Sequence, residues 1–350
     1  MKIISCGKKP KEVDNLNLRA AQLRHIPILG ESAQERLSEL TIGVIGLGGI
    51  GSELIEKLKR LFPKRLVLVD DDFIEETNLN RVVGSTFSDA KNRLRKTNLA
   101  LREVATFNPK QEVRTVFGNF LDEEVQLEFK NCDVIFSSTD NVASRFAACA
   151  FGLANGCAVI DVATGIIMND SAIKAAGGQV IWLTASSNWC PLCSGLYDQR
   201  EIATGLLDSQ ELERQRAQGY VHGENIAAPQ VGSLNGILAG LAVWMFMRLV
   251  SGASIDFDGV AVDALTFTTH AWSEERLSPN NCHYCGEHGS LMRGDSAEMV
   301  CRTKAISLPE LIPSSNIESL PTRSVTQPSN VAELPVSAMF DLLGLRQYTH

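Results

Sequence analysis

Residues 41–51 read Thr-Ile-Gly-Val-Ile-Gly-Leu-Gly-Gly-Ile-Gly and decide the fold class of this chain. The stretch is a short apolar strand that runs into a glycine turn, and a helical pattern follows it. Glycines in such a turn let backbone N–H groups close on a phosphate at the N-terminus of the helix. The predicted phosphate-binding glycines are Gly46, Gly48, Gly49 and Gly51. Taken alone, this turn fits a nicotinamide cofactor and an adenine nucleotide equally well.

Apolar strands and helical segments alternate on both sides of that turn. Strands are predicted at 41–46, 65–70, 112–118 and 133–139, and helices at 49–61, 88–107, 122–130 and 142–155. This alternation predicts an α/β fold with a Rossmann-like, doubly wound sheet and a parallel core. Strands predicted at 158–168, 178–184 and 259–269 make it a mixed sheet with an antiparallel extension, and a charged helix is predicted at 209–218.

Length and composition bound the class of protein. The chain has 350 residues, with 44% apolar and 21% charged, which suits a large α/β domain with additions. We expect an N-terminal helical arm over 1–40, a nucleotide-binding domain over 41–290 and a C-terminal extension, partly linker, over 291–350. The net charge of −8 argues against a nucleic-acid partner. The apolar run 236–247 is short for a membrane span, so we expect a buried helix there and a cytoplasmic protein without a membrane partner.

Polar residues after the second strand narrow the choice of nucleotide. Asp70 and Asp72 lie two residues apart, so they share one face of an extended chain, and a carboxylate there can hold a ribose. Asn78, Arg81 and Lys96 follow. Arg81 offers a planar fork and Lys96 a point charge, which suit a triphosphate whose pyrophosphate must leave. The alternative is that both cations are ordinary surface residues, since Lys96 belongs to the basic run 91–96.

Asp140 and Asn141 follow the fourth strand directly. A carboxylate at the carboxyl end of a parallel strand faces the ligand crevice, where Asp140 can hold Mg²⁺ on phosphate oxygens. The alternative is that Asp140 caps the next helix, and both roles can coexist.

Four cysteines form two Cys-x-x-Cys pairs, Cys190–Cys193 and Cys282–Cys285. Two such pairs far apart in sequence predict a closed tetrahedral Zn²⁺ site, which would clip a long insertion to the body of the fold. A redox role for either pair is the alternative. Cys132, Cys149 and Cys157 lie in apolar surroundings and are predicted to pack in the core.

In this order the motifs resemble the adenylation domain of the ThiF/MoeB/ubiquitin-activating superfamily. The resemblance runs from Arg24 to Cys285 and rests on the glycine turn, Asp-x-Asp, Asn-Leu-x-Arg, Lys96, Asp140-Asn141 with Arg145 after it, and the paired Cys-x-x-Cys motifs. It implies that the C-terminal carboxylate of a small ubiquitin-like or sulfur-carrier protein attacks the α-phosphate of MgATP. The products would be an acyl-adenylate and pyrophosphate.

The resemblance also assigns roles. The phosphates would be stabilised by Arg81, Lys96 and Arg24, the last of which would come from the partner subunit of a homodimer. Asp140 would hold Mg²⁺, and Asp70 or Asp72 would bind the ribose. A conjugating enzyme is a further expected partner. The hairpin at 163–184 is similar to bacterial members associated with ubiquitin-like conjugation and phage-defence operons.

Two departures from the family pattern leave the later steps open. Val82 stands where many members have glutamine, and the sequence has no cysteine between Cys193 and Cys282 that could form a thioester. Cys301 is the one candidate for that role. The alternatives are an enzyme that adenylates a peptide C-terminus in natural-product synthesis, an NAD-dependent oxidoreductase, and a catalytically silent scaffold.

Overall fold

The computed structural model describes residues 18–169, 172–187, 189–207, 212–214, 229–273, 282–286, 288–297 and 299–302. Its strands are β1 Thr41–Ile45, β2 Arg65–Asp70, β3 Glu112–Phe117, β4 Val134–Ser137, β5 Ala158–Asn169, β6 Ala172–Leu183, β7 Gly259–Asp263 and β8 Thr268–Trp272. Its helices are α1 Leu18–Gln22, α2 Ile26–Leu29, α3 Glu31–Leu37, α4 Gly49–Leu58, α5 Phe87–Lys91, α6 Lys96–Phe107, α7 Glu123–Leu127, α8 Val142–Asn155, α9 Gln199–Gly205 and α10 Gly232–Val250.

The strands form one mixed sheet in the order β3-β2-β1-β4-β5-β6-β7-β8. The first five are parallel and the last three antiparallel. This confirms the predicted doubly wound sheet with a parallel core and an antiparallel extension. The chain reverses its direction of winding between β1 and β4, and ligands of such sheets bind at the carboxyl edge near that point.

Helices cover both faces of the sheet. Helix α10 packs on α4 and on strands β5 and β6, while α8 packs on the opposite face against β4 and β5. Each face of the sheet forms a separate hydrophobic core with its helices. Phe136 and Phe246 lie in one core, and Phe129 and Phe146 lie in the other.

Helix α10 contains the apolar run expected to be a buried helix. It is longer than predicted, at 19 residues, and in length and composition it satisfies the criteria for a membrane-crossing helix. Its side chains Leu238, Ala239, Ala242 and Phe246 are nevertheless buried against the sheet and α4. This packing is that of a core helix.

The single helix predicted over 88–107 is wrong. The chain breaks between α5 and α6, where Arg93 takes a left-handed backbone conformation with φ 46°. Residue 95 instead forms a β-bridge with Phe73. The break makes Lys96 the first residue of α6, so it lies at a helix N-terminus beside the end of β2.

The single strand predicted over 259–269 is also wrong, because it is a hairpin of β7 and β8. The Asp263 carboxylate accepts hydrogen bonds from the N–H groups of Leu265 and Thr266 and so closes the turn. Phe267 completes the reversal with φ 56°. Of the helix predicted at 209–218, residues 212–214 are described and are helical.

Candidate functional site

A cavity of about 530 Å³ lies along the carboxyl ends of β1 to β5. The lining residues come from the glycine turn, from the segments after β2, β3 and β4, and from β5 itself. Neighbouring strands are about 4.8 Å apart, so the crevice spans roughly 19 Å from β3 to β5. That length accommodates a nucleotide with a second substrate beside its phosphates.

The glycine turn forms one wall of this cavity. Gly46 has φ 83°, a conformation that glycine adopts without strain. A Cβ on Gly51 would lie 1.9 Å from the carbonyl oxygen of Gly46, so any side chain there would force the turn apart. Gly46, Gly48 and Gly49 line the cavity, whereas Gly51 supports the turn from behind. The N-terminus of α4 therefore faces the crevice, as an anion site requires.

Asp70 ends β2 and is held in place by backbone donors. Its carboxylate accepts hydrogen bonds from the N–H of Leu47 at 2.6 Å and from the N–H of Asp72 at 2.8 Å. Burial raises the pKa of Asp70, and the Lys96 ammonium nearby offsets part of that effect. The carboxylate is fixed against the glycine turn, where a ribose hydroxyl of a nucleotide would meet it.

Lys96 reaches back from α6 to the same two aspartates. Its Nζ lies 2.7 Å from Asp72 Oδ2 and 3.8 Å from Asp70 Oδ1. Burial lowers the pKa of Lys96, but the carboxylates of Asp70, Asp72 and Asp140 raise it by more, so the pKa lies above its ordinary value. Lys96 is therefore a fixed ammonium at the cavity wall, only 11% exposed, and not a solvated surface lysine.

Asn78 and Arg81 come from the segment after β2. Asn78 is buried, and its side chain accepts a hydrogen bond from the N–H of Glu75 in a short 3₁₀ helix. Arg81 is half-buried, and its Nη1 donates to the carbonyl oxygen of Thr77 and to the side chain of Asn80. Both side chains line the cavity beside Lys96.

The helix after β4 is capped by Asn141 and not by Asp140. Asn141 Oδ1 accepts hydrogen bonds from the N–H groups of Ala143 and Ser144. Asp140 is exposed and lines the cavity. With the cap provided by its neighbour, the Asp140 carboxylate is available to a ligand.

Arg24 is a predicted catalytic residue that its own chain does not bring to the crevice. It lies in the turn between α1 and α2, it is exposed, and it is not among the described residues that line the cavity.

Two site residues that the sequence did not reveal are Asp161 and Tyr197. Asp161 is buried on β5, and its carboxylate forms an ion pair with Arg145, with Nε 2.9 Å from Oδ1. The Tyr197 hydroxyl donates to the same carboxylate at 2.5 Å. Arg145 and Tyr197 line the cavity. An aspartate in the middle of an apolar strand was the one signal available.

The four predicted metal ligands meet behind this end of the cavity. Cys190 Sγ lies 3.6 Å from Cys193 Sγ and 3.8 Å from Cys282 Sγ, and Cys193 Sγ lies 3.5 Å from Cys285 Sγ. Tetrahedral Zn–S bonds of about 2.3 Å place sulfur atoms roughly 3.8 Å apart. The donor set therefore fits a Zn²⁺ ion bound by four thiolates.

Among the described residues, the remaining cysteines lie apart from this cluster. Cys132, Cys149 and Cys157 are buried in the core, as predicted. Cys301 is half-buried beside α7, where the Gln126 side chain donates to its sulfur. Burial raises the pKa of Cys301 to about 11, so the thiol is mostly protonated near neutral pH.

A protein-family model for the ThiF family matches residues 20–286. The chain belongs to the ThiF family. The match contains the glycine turn, the Asp70–Lys96 pair, Asp140 and the four-cysteine cluster, so the crevice described above is the part of the chain that the family shares.

Characterised relatives cover parts of this region. The SAMP-activating enzyme E1 of Haloferax volcanii is 32% identical over 137 residues, which is 37% of this chain and 50% of that protein. Ubiquitin-like modifier-activating enzyme 5 of Branchiostoma floridae is 25% identical over 224 residues, which is 60% of this chain and 49% of that protein. The chain thus spans about half the length of these two relatives.

Solved structures share the fold. E. coli MccB with ATP superposes with a TM-score of 0.57 at 19% identity, covering 78% of this chain and 75% of MccB. The microcin C7 biosynthetic enzyme MccB in complex with N-formylated MccA gives 0.59 at 18% identity, covering 79% and 77%. These likenesses support the ThiF-type mixed sheet.

Proposed function

We propose that this chain adenylates the C-terminal carboxylate of a small ubiquitin-like or sulfur-carrier protein at the expense of ATP. The observation that carries the proposal is the Lys96 ammonium, which Asp70 and Asp72 fix in the same cavity as Arg81 and Asp140. The names of the relatives support it, since they include activating enzymes for small protein modifiers.

In the proposed reaction a carboxylate oxygen attacks the α-phosphorus of ATP. The bond from that phosphorus to the bridging oxygen breaks, and pyrophosphate leaves with the electron pair, so no proton has to be moved. Lys96 and Arg81 stabilise the negative charge that grows on the leaving group. The rest of the catalytic effect comes from holding the two anionic substrates in line.

Asp140 is the residue that would hold Mg²⁺. Its carboxylate is exposed at the cavity and is not used as the helix cap. Mg²⁺ prefers one or two carboxylates together with phosphate oxygens, and it would neutralise charge on the departing pyrophosphate. Asp70 would bind the ribose, with Asp72 holding Lys96.

The alternative functions do not account for these residues as well. An NAD-dependent oxidoreductase assigns no role to Lys96 and Arg81, the two cations beyond the ribose carboxylate. Adenylation of a peptide C-terminus remains a second candidate, and the fold shared with MccB, which was solved with N-formylated MccA, favours it. A conjugating enzyme, and an operon for ubiquitin-like conjugation or phage defence, belong to the proposal as expected context.

Exchange of labelled pyrophosphate into ATP tests the function. We expect exchange when a candidate carrier or peptide with a free C-terminal carboxylate is added. The same acceptor with a C-terminal carboxamide is the control and should give none. Exchange that is equal with both acceptors would refute carboxylate adenylation.

We further propose that the enzyme is a homodimer in which Arg24 reaches the crevice of the partner. Ile237 and Trp244 lie on one exposed face of α10 at 50% and 47% exposure, and the N-terminus of that helix adjoins Arg81. Mixing Arg24→Ala subunits with Lys96→Ala subunits should restore up to about a quarter of the wild-type exchange rate by statistical pairing, because one crevice of a mixed dimer is then intact. Mixtures no more active than the separate variants would contradict action in trans.

We also expect the four-cysteine cluster to hold one Zn²⁺. Cys190→Ser should release the metal and lower the unfolding midpoint by about 10 °C, because a structural metal contributes directly to folding free energy. Cys301→Ser is the matched control and should keep the metal. Metal analysis of both purified variants decides the point, and full retention of zinc by Cys190→Ser would count against the site.

A further inference from the structure

The metal cluster is linked to the crevice by a continuous series of hydrogen bonds. The first link lies inside the Cys190–Cys193 pair, where the carbonyl oxygen of Pro191 accepts a hydrogen bond from the N–H of Tyr197 at 3.0 Å. The second is the Tyr197 hydroxyl, which donates to Asp161 at 2.5 Å. Tyr197 is therefore fixed at both its backbone and its side chain.

The series ends on Arg145, at the wall of the cavity. Asp161 accepts from two nitrogens of the Arg145 guanidinium, and the guanidinium also lies over the Tyr197 ring, 4.9 Å from its centroid. Asp161 and Arg145 are both buried, so the pair is held in a medium of low dielectric constant where each bond strengthens its neighbours. One orientation of Arg145 follows from this arrangement.

Arg145 marks the end of the crevice that is distant from the ribose position. Asp70 is the last residue of β2, whereas Asp161 lies on β5, and β1 and β4 stand between them in the sheet. Three strand spacings of about 4.8 Å separate the two ends by roughly 14 Å. A nucleotide bound at Asp70 with its phosphates toward Lys96 and Asp140 would leave the end lined by Arg145, Ala163 and Tyr197 for the second substrate.

We propose that Tyr197 and Asp161 are positioning residues that make the binding of the carboxylate-bearing chain depend on the metal cluster. A metal bound by Cys190 and Cys193 fixes Pro191, Pro191 fixes Tyr197, and Tyr197 with Asp161 orients Arg145 toward the terminal residues of the acceptor. The inference rests on the proposed function for the identity of the ligand. The link from cluster to crevice stands on the contacts alone.

Hydrogen–deuterium exchange tests the link without any catalytic assay. Chelation of the metal from the purified full-length chain should speed exchange of the amides in the first turns of α8, residues 142–150, by about tenfold. Helix α4 on the opposite face of the sheet is the internal control and should keep its protection. Unchanged exchange at 142–150, or equal loss of protection in α4, would overturn the link.

Tyr197→Phe separates positioning from folding, because it removes one hydroxyl and keeps the ring. The loss of a hydrogen bond to a charged group should raise the KM for the acceptor protein by about tenfold. We expect kcat within about threefold, the Kd for ATP within about twofold, and full metal content.

The two experiments distinguish a failure of the proposed function from a failure of the positioning role. If wild-type protein shows no pyrophosphate exchange with any acceptor, the proposed function fails, and the amide-exchange result still decides the link. If Tyr197→Phe leaves the KM for the acceptor unchanged in an active enzyme, or changes the Kd for ATP equally, the positioning role fails while the function stands.

Discussion

Replacing Lys96 with alanine is expected to lower ATP–pyrophosphate exchange by about 1,000-fold, the upper range for losing one preorganised charge at a reacting group. Lys96 Nζ is held 2.7 Å from Asp72 and close to Asp70, so its position is set before the nucleotide arrives. Alanine removes the ammonium and also leaves the buried Asp70 carboxylate without its cation. Exchange rate and nucleotide affinity should therefore both decline.

Lys91→Ala is the matched control for that substitution. Lys91 belongs to the same basic run, but it is exposed on α5 and is not among the described residues that line the cavity. Its removal should leave exchange unchanged. If Lys96→Ala retained exchange while keeping the wild-type unfolding midpoint, the role assigned to Lys96 would be wrong.

Asp140→Asn is expected to reduce exchange by about 100- to 1,000-fold at millimolar Mg²⁺. The amide keeps the size of the side chain but removes the charge that would bind the cation. Higher Mg²⁺ concentrations should recover part of the lost rate, because weakened metal binding is overcome by mass action. Titrating Mg²⁺ against exchange rate measures both effects.

Asp133→Asn provides the comparison for Asp140→Asn. Asp133 lies just before β4, at the opposite end of the strand, where its carboxylate accepts a hydrogen bond from the N–H of Thr41. We expect its Mg²⁺ dependence to match the wild type. Equal Mg²⁺ dependence in Asp140→Asn and the wild type would remove Asp140 from the metal site.

The parts of the fold that local sequence determines were predictable. The glycine turn after β1 and the apolar strands β1 to β4 carry their own signals, because strand burial and turn chemistry depend on neighbouring residues. The break at Arg93 was not predictable, because apolar spacing continues through it and the bridge to Phe73 is a tertiary contact. The turn between β7 and β8 was not predicted, because it is closed by a hydrogen bond from the N–H of Leu265 to the Asp263 carboxylate, which the apolar pattern of the segment does not reveal.

The residues of the site likewise divide into those that the sequence predicted and those that only the structure reveals. Asp70, Arg81, Lys96 and Asp140 follow strands or lie in recognisable motifs, and the structure brings them to one cavity. Asp161 and Tyr197 are 36 residues apart, and nothing in either local pattern indicates that they pair. Their partnership depends on how the segment after Cys193 folds back over β5, which only tertiary structure shows.

A crystal structure of the chain with Mg²⁺ and a non-hydrolysable ATP analogue tests the central claim most directly. The account predicts the ribose at Asp70, the triphosphate between Lys96 and Arg81, and the metal ion on Asp140. A triphosphate that points away from Lys96, or a nicotinamide dinucleotide that binds in this crevice in preference to ATP, would contradict it.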